Sequence, residues 1–265
     1  MLYFVLKDFI QFPWLGYLLN SIYYGLIACG VTLSFFLANK RLRSFHANGP
    51  RVRCFMILAL TLSIPAGYIG SRSANMFYHD PHLWSVQFFV QQYQAGSHHT
   101  FHGSLILPLI IISSLTLIMG LDFFKTMDTF FLYIPLGHAF GRTGCLMVGC
   151  CWGQEISVHL CGMNVTFVNP VPLYSILLNI ALFLSLRKYF NVIYPSESKQ
   201  NRNGSVAAFY LIIYGTVRYI LELVRNENKI IDGHTQAQIV MLGFISLGCL
   251  ILLSLFIKAR FTAKG

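Results

Sequence analysis

Long apolar segments alternate with short polar ones along the whole chain. They cover roughly 14–37, 54–71, 103–121, 130–148, 170–187, 205–224 and 237–257. Each is close to the ~20 residues that an α-helix needs to cross a bilayer. The fourth is the weakest of them, because it contains His138, Arg142 and several glycines. The pattern predicts an all-α, polytopic integral membrane protein with about seven transmembrane helices.

The charges in the connecting segments predict how these helices are oriented. Basic connectors alternate with near-neutral ones, and the first connector and the C-terminal tail are both rich in Lys and Arg. Since basic loops favour the cytoplasmic side, we expect the N-terminus outside, on the periplasmic side, and the C-terminus in the cytoplasm. Loops 72–102 and 149–169 then lie outside. The segment 86–100 is either an amphipathic stretch on the outer leaflet or an ordinary packed loop.

Composition supports a membrane protein and argues against a soluble one. Of the 265 residues, 55% are hydrophobic and 11% are charged, and the mean hydropathy is +0.61, whereas soluble domains are about 25% charged. The formal net charge of +10 fits cytoplasmic loops that face anionic lipid. No nucleic-acid-binding motif is present, and the absence of internal repeats predicts a single membrane domain over 1–265.

Ionisable residues near the outer ends of the apolar segments are candidate functional groups, because charge inside a bilayer is costly. They are Arg72, His102, Arg142, Arg218, Glu222 and Arg225. Arg218, Glu222 and Arg225 share one helix face, and Tyr214 extends that face by one turn. Arg218 and Glu222 form either a structural ion pair or a pair in which Glu222 holds Arg218 for a ligand. The excess of arginine predicts an anionic ligand such as a phospholipid phosphate.

The stretch GRTGCLMVGCCWG, from Gly141 to Gly153, combines an arginine with four glycines and three cysteines. Glycines let a backbone approach a bulky headgroup, or they serve close helix packing. His102, in TFHGSL, is either a general base or a structural residue. His98, His99 and His102 have no nearby carboxylate, so we predict no metal site there.

In their order and spacing, several motifs resemble those of the bacterial prolipoprotein diacylglyceryl transferase family, nearly from end to end. The motifs that carry the resemblance are YYGLIACG, GSRSANMFY, FHGSL, GRTG with GCCWG, NPVPLY and YGTVRYILELVR. The resemblance implies a seven-span inner-membrane enzyme that moves the diacylglyceryl group of phosphatidylglycerol to the lipobox cysteine thiol of a prolipoprotein. It implies no metal and no organic cofactor.

The resemblance also implies roles for individual residues. Those expected in catalysis are His102, Arg142 and Arg218. Those expected in substrate binding are Tyr24, Arg72, Gly103, Arg142, Gly144, Gly153, Tyr214 and Glu222. His102 is expected to take the proton of the acceptor thiol, and the two arginines to hold the phosphate.

The chain departs from the family pattern GRxGNFxNGExxG. Cys145 and Val148 replace the two asparagines, and Cys150 replaces the glutamate. Cys161 with Cys150 or Cys151 could form a disulfide on the oxidising side, or the thiols stay free, or they have a redox role. Two alternatives to the transferase remain: a paralogue with another acceptor, and a non-catalytic phospholipid-binding or redox membrane protein.

Overall fold

The computed structural model describes residues 13–46, 49–79, 100–160, 163–194, 202–225, 229–231 and 233–262. These residues contain seven α-helices and two small β-hairpins. The helices are α1 Pro13–Phe45, α2 Gly49–His79, α3 Phe101–Ile118, α4 Phe123–Val148, α5 Val171–Ile193, α6 Ser205–Leu223 and α7 Gln236–Thr262. The strands are β1 Glu155–Leu160, β2 Met163–Val168, β3 Lys229–Ile231 and β4 His234–Thr235.

Each of the seven predicted apolar segments coincides with one of the helices, which confirms the all-α, polytopic prediction. Six of the seven are long and apolar enough to cross a membrane by length and composition. The exception within the described residues is α4, because its polar side chains, including Asp128, His138 and Arg142, lower its hydropathy. The orientation of the helices in the membrane stays a prediction.

The chain divides into two compact units, which we name by their position in the sequence. The central unit is Asn39–Met127, and the terminal unit combines Met1–Ala38 with Asp128–Gly265. In the central unit, α2 and α3 cross with their backbones in contact at Gly70 and Gly103. Thr100, just before α3, donates a hydrogen bond of 2.9 Å from its Oγ1 to the carbonyl of Ser71.

In the terminal unit, a buried carboxylate of α4 connects the end of α5 with the start of α6. Asp128, in the second turn of α4, accepts hydrogen bonds from the backbone N–H groups of Gly204 and Ala207, both 2.8 Å long. It also accepts one of 2.6 Å from the hydroxyl of Tyr194, the residue that follows α5. The first N–H groups of a helix have no partner within the helix, so Asp128 caps α6 from a different helix and fixes where α6 begins.

Small residues bring the other helices of the terminal unit close together. A Cβ on Gly215 of α6 would lie 2.8 Å from Ile245 of α7, and a Cβ on Gly248 would lie 2.8 Å from the carbonyl of Ala208. A Cβ on Gly30 of α1 would lie 2.7 Å from that of Phe140 on α4. Such approaches are typical of helix packing in membranes.

The segment 149–169, which the apolar pattern placed in a loop, contains a β-hairpin that hydropathy did not predict. Strands β1 and β2 pair antiparallel, from Glu155 opposite Val168 to Leu160 opposite Met163. Its base is held to the end of α6 by hydrogen bonds described below. Cys161 and all of 86–100 except Thr100 lie outside the described residues, so the disulfide and the amphipathic segment stay predictions.

Candidate active site

Arg142 lies near the end of α4 and is almost completely buried, with 7% of its surface exposed. Its Nε donates a hydrogen bond of 3.1 Å to Nε2 of His138, one helical turn earlier. His138 is also buried. The hydrogen bond uses one of the five N–H donors of the guanidinium and fixes its plane, which leaves the terminal N–H groups to bind other groups.

Arg218 and Glu222 on α6 form the ion pair that their spacing predicted. Arg218 Nη1 and Glu222 Oε2 are 2.5 Å apart, and both side chains are buried. Arg225 approaches the same oxygen at 3.6 Å. Glu222 therefore holds two guanidiniums at once, which orders both side chains inside the protein.

The two buried arginines belong to one electrostatic cluster. Arg142 and Arg218 repel each other electrostatically, and Arg225 adds to the positive potential at Arg218 while Glu222 opposes it. We call these four residues the arginine cluster. With three guanidiniums and one carboxylate, the cluster carries excess positive charge, which suits an anion such as a phosphate.

Tyr214 of α6 packs against α4, the helix that carries Arg142. It is buried one turn before Arg218 on α6, and its ring meets the ring of His138 edge-on with centroids 5.5 Å apart. On its other side it stacks on Tyr210, at 5.2 Å between centroids. The aromatic contacts set the spacing between α4 and α6, and so between Arg142 and Arg218.

A cavity of about 190 Å³ opens beside this cluster, between α4, α5 and α6. His138, Tyr214 and Arg218 line its polar part. The remaining lining residues are Ser175, Leu178, Asn179, Ala181, Leu182, Ser185, Ile213, Val217 and Leu221. A polar end next to a mostly apolar wall suits an amphiphilic ligand.

Gly153 has a structural reason to be glycine. Its N–H donates to the carbonyl of Asn169 at 2.9 Å, and the N–H of Gln154 donates to the carbonyl of Val224, also at 2.9 Å. A Cβ on Gly153 would lie 2.5 Å from the carbonyl oxygen of Val224. The contact joins the base of the β1–β2 hairpin to the end of α6, next to Arg225.

Gly144 packs against α1, where its contact is Tyr23, the residue before the predicted Tyr24. A Cβ on Gly144 would lie 2.7 Å from Cδ2 of Tyr23. Tyr24, its neighbour in sequence, is 56% exposed, with its ring 5.2 Å from that of Tyr23. The sequence analysis did not identify Tyr23. The available signal was that adjacent residues of a helix face different directions, so Tyr23 and Tyr24 do not share one contact surface.

Three cysteines converge at the end of α4. The Sγ atoms of Cys145, Cys150 and Cys151 all lie within 4.8 Å of one another, and those of Cys150 and Cys151 are 3.6 Å apart. None of the three forms a disulfide with another cysteine that the structure describes. We call them the cysteine cluster. Hydrogen bonding with the other two thiols lowers the pKa of the Cys151 thiol, and the guanidiniums of Arg142 and Arg225 act in the same direction.

The other predicted site residues lie in the central unit. His102 and Arg72 are both buried. The guanidinium of Arg72 lies over the ring of Tyr68, with Cζ 5.0 Å from the centroid. Gly103 is the point where α3 meets the backbone of α2, so its lack of a side chain has a packing reason.

The terminal unit brings together Arg142, Tyr214, Arg218 and Glu222, with Gly153 joined to the adjacent Arg225.

Comparison with known proteins identifies the family. The sequence profile described as prolipoprotein diacylglyceryl transferase matches residues 17–254. A phosphatidylglycerol–prolipoprotein diacylglyceryl transferase of Francisella tularensis subsp. mediasiatica is 28% identical over 211 residues, 78% of this chain and 75% of that protein. The protein of the same name from Finegoldia magna is 24% identical over 248 residues, 88% of this chain and 90% of its own length.

Proposed function

Because the chain belongs to the prolipoprotein diacylglyceryl transferase family, we propose that it transfers the diacylglyceryl group of phosphatidylglycerol to the lipobox cysteine of prolipoproteins. Its place is then the inner membrane of a bacterium. The observation that carries the proposal is the pair of buried guanidiniums, Arg142 and Arg218, held near each other by His138 and Glu222. Buried like charges are costly, and a bound phosphate would relieve that cost.

In the proposed reaction, the sulfur of the acceptor cysteine attacks the carbon of the diacylglyceryl group that is bonded to the phosphate oxygen. The carbon–oxygen bond breaks, a thioether forms, and glycerol phosphate leaves with the bonding electron pair. Arg142 and Arg218 bind the phosphate and stabilise the second negative charge that it gains as the bond breaks. This role needs both guanidiniums in fixed positions, which their contacts with His138 and Glu222 provide.

The thiol must lose its proton before it attacks, because the thiolate is the nucleophile. We assign that proton to His102, whose imidazole titrates near neutral pH in its unperturbed form. Arg72 and Gly103, from the same unit, are proposed contacts of the lipid headgroup. Tyr24, Gly144, Gly153, Tyr214 and Glu222 are proposed to bind or position the phospholipid.

A direct assay tests the proposal. The purified full-length protein in detergent receives phosphatidylglycerol and a lipobox peptide, and both the peptide mass and the released glycerol phosphate are followed. We expect the peptide to gain one diacylglyceryl mass for each glycerol phosphate released. His102→Gln and Arg142→Lys should reduce both products, and Arg53→Lys, which changes an exposed arginine outside the site, should not. Folded protein that releases neither product would contradict the transferase.

A second candidate function shares the lipid donor but uses another acceptor. It is favoured by the replacement of two amides and a carboxylate of the family motif by Cys145, Val148 and Cys150, of which Cys145 and Cys150 belong to the cysteine cluster. Glycerol phosphate released without modification of the lipobox peptide would support this alternative. Stoichiometric modification of the peptide would exclude it.

A further inference from the structure

The cysteine cluster is a preassembled set of soft ligands. Its three Sγ atoms lie within 4.8 Å of one another, and those of Cys150 and Cys151 are 3.6 Å apart. In a tetrahedral zinc site with Zn–S bonds of about 2.3 Å, neighbouring sulfurs lie about 3.8 Å apart. The cluster therefore needs only small side-chain adjustments to place three sulfurs around one ion.

The backbone is bent to bring the three thiols together. The N–H of Cys150 donates to the carbonyl of Cys145 at 3.0 Å, which folds the chain back over the end of α4. Gly149 has a φ of 71° and Cys151 a φ of 64°. Cys151 is the one non-glycine residue with positive φ among those that the structure describes. A left-handed non-glycine residue is strained and persists where its surroundings hold it.

The charges around the cluster suit a metal bound by three thiolates. Three thiolates and one divalent cation leave one negative charge on the complex. Arg142 acts electrostatically on all three cysteines, and Arg225 acts on Cys151. Two guanidiniums next to an anionic metal–thiolate centre stabilise it, as outer-shell groups do in other metal sites.

We propose that Cys145, Cys150 and Cys151 bind one Zn²⁺ ion, with the fourth coordination position open to a thiolate from outside the cluster. Zinc prefers thiolate ligands, and sites with three protein ligands keep the fourth position for water or substrate. The occupant that we assign to this position is the acceptor cysteine, and this assignment rests on the proposed function. The metal would then stabilise its thiolate next to Arg142, a proposed phosphate ligand.

Metal binding by the full-length protein tests the site without any activity measurement. The protein is purified in detergent under anaerobic conditions, and its zinc content is measured by mass spectrometry. We expect about one Zn²⁺ per chain. Replacement by Co²⁺ should give the intense thiolate-to-cobalt charge-transfer absorption of a tetrahedral site. Cys145→Ser and Cys151→Ser should lose most of the metal, and Cys249→Ser, an exposed cysteine of α7, should keep it.

Three results would overturn the metal site. One is folded wild-type protein with no stoichiometric zinc that also fails to bind added Co²⁺. Another is unchanged zinc in a folded Cys145→Ser variant. The third is a disulfide between Cys161 and Cys150 or Cys151, found by non-reducing peptide mapping, because oxidised sulfur cannot serve as a thiolate ligand.

The open fourth position has its own test. A lipobox peptide added to the Co²⁺ protein should change the charge-transfer absorption, and the same peptide with serine in place of cysteine should not. An unchanged spectrum in a protein that binds metal stoichiometrically and transfers the diacylglyceryl group would overturn the acceptor role alone. A peptide-dependent change in a protein without transferase activity would support the acceptor site and count against the proposed reaction.

Discussion

Arg142 Nε donates a hydrogen bond to Nε2 of His138, 3.1 Å away and one turn earlier on α4. The hydrogen bond requires Nε2 of His138 to be an acceptor, so the ring proton is on Nδ1. His138 also packs edge-on against Tyr214 of α6. His138 thus acts as a positioning residue that relates the guanidinium of Arg142 to the helix that carries Arg218.

Changing His138 should separate the loss of a hydrogen bond from the loss of a ring. His138→Phe keeps an aromatic ring near Tyr214 and removes the acceptor, and His138→Gln supplies an acceptor oxygen without the ring. A hydrogen bond to a charged group contributes about 1.5–3 kcal/mol, so we expect His138→Phe to lower kcat/KM for phosphatidylglycerol by about 10- to 100-fold. His138→Gln should recover part of the loss. Equal loss in both variants would contradict the positioning role.

Removing Glu222 should destabilise the protein, because it would leave Arg218 and Arg225 without the carboxylate that lies between them. Breaking a buried ion pair from one side costs about 3–5 kcal/mol. We expect Glu222→Gln to lower the thermal unfolding temperature in detergent. Glu155→Gln makes the same chemical change at an exposed position of β1 and should leave it unchanged. An equal effect of the two variants would argue against the buried pair.

Asp128→Ala should loosen the start of α6. It removes the acceptor of three hydrogen bonds, from Gly204, Ala207 and Tyr194, and we expect a loss of about 3 kcal/mol or more in the free energy of unfolding. Hydrogen exchange should become faster at the amides of Gly204 and Ala207 first. Asp128→Asn keeps one acceptor oxygen and should be milder. Unchanged protection of both amides in Asp128→Ala would contradict the capping role.

Gly153→Ala should disturb the base of the hairpin, because its new methyl group would meet the carbonyl oxygen of Val224 at 2.5 Å. We expect a lower unfolding temperature and lower activity, since the shift reaches Arg225 next in the chain. The matched control is Gly243→Ala on α7, where an added Cβ meets nothing within 4 Å and alanine favours the helix. The prediction fails if the two variants are equally stable.

Tyr23 and Tyr24 offer a comparison within one helical turn. Tyr23 packs on Gly144, beside Cys145, and Tyr24 is mostly exposed. Tyr23 is half-buried, so its truncation should cost less than the roughly 3–5 kcal/mol of a fully buried aromatic side chain. We still expect Tyr23→Ala to reduce stability and kcat/KM far more than Tyr24→Ala does. If Tyr24→Ala reduces kcat/KM more while stability is unchanged, Tyr24 contacts the lipid as its motif implies.

Hydropathy was sufficient to predict the seven helices, because six are apolar runs long enough to cross a bilayer, and α4, although more polar, is still mostly apolar. The shared face of Arg218 and Glu222 followed from their i, i+4 spacing, and their ion pair confirms it. The same i, i+4 spacing relates His138 to Arg142, whose hydrogen bond was not predicted.

Other features depend on contacts that are distant in sequence, and no local pattern reports those. Asp128 is 76 positions from Gly204, whose N–H it accepts. The hairpin from Glu155 to Val168 is short and partly polar, so it gives little hydropathy signal. The convergence of Cys150 and Cys151 on Cys145 requires left-handed φ angles at Gly149 and Cys151, which the sequence does not reveal for a cysteine.

The cap on α6 also has a consequence for how the chain is made. Asp128 lies just before the apolar segment 130–148, and its backbone partners at Gly204 and Ala207 are synthesised more than seventy residues later. Until then the carboxylate lacks these donors, and burying a charge without partners is costly. The start of α4 therefore reaches its fully hydrogen-bonded, buried state only once the first turn of α6 has been made.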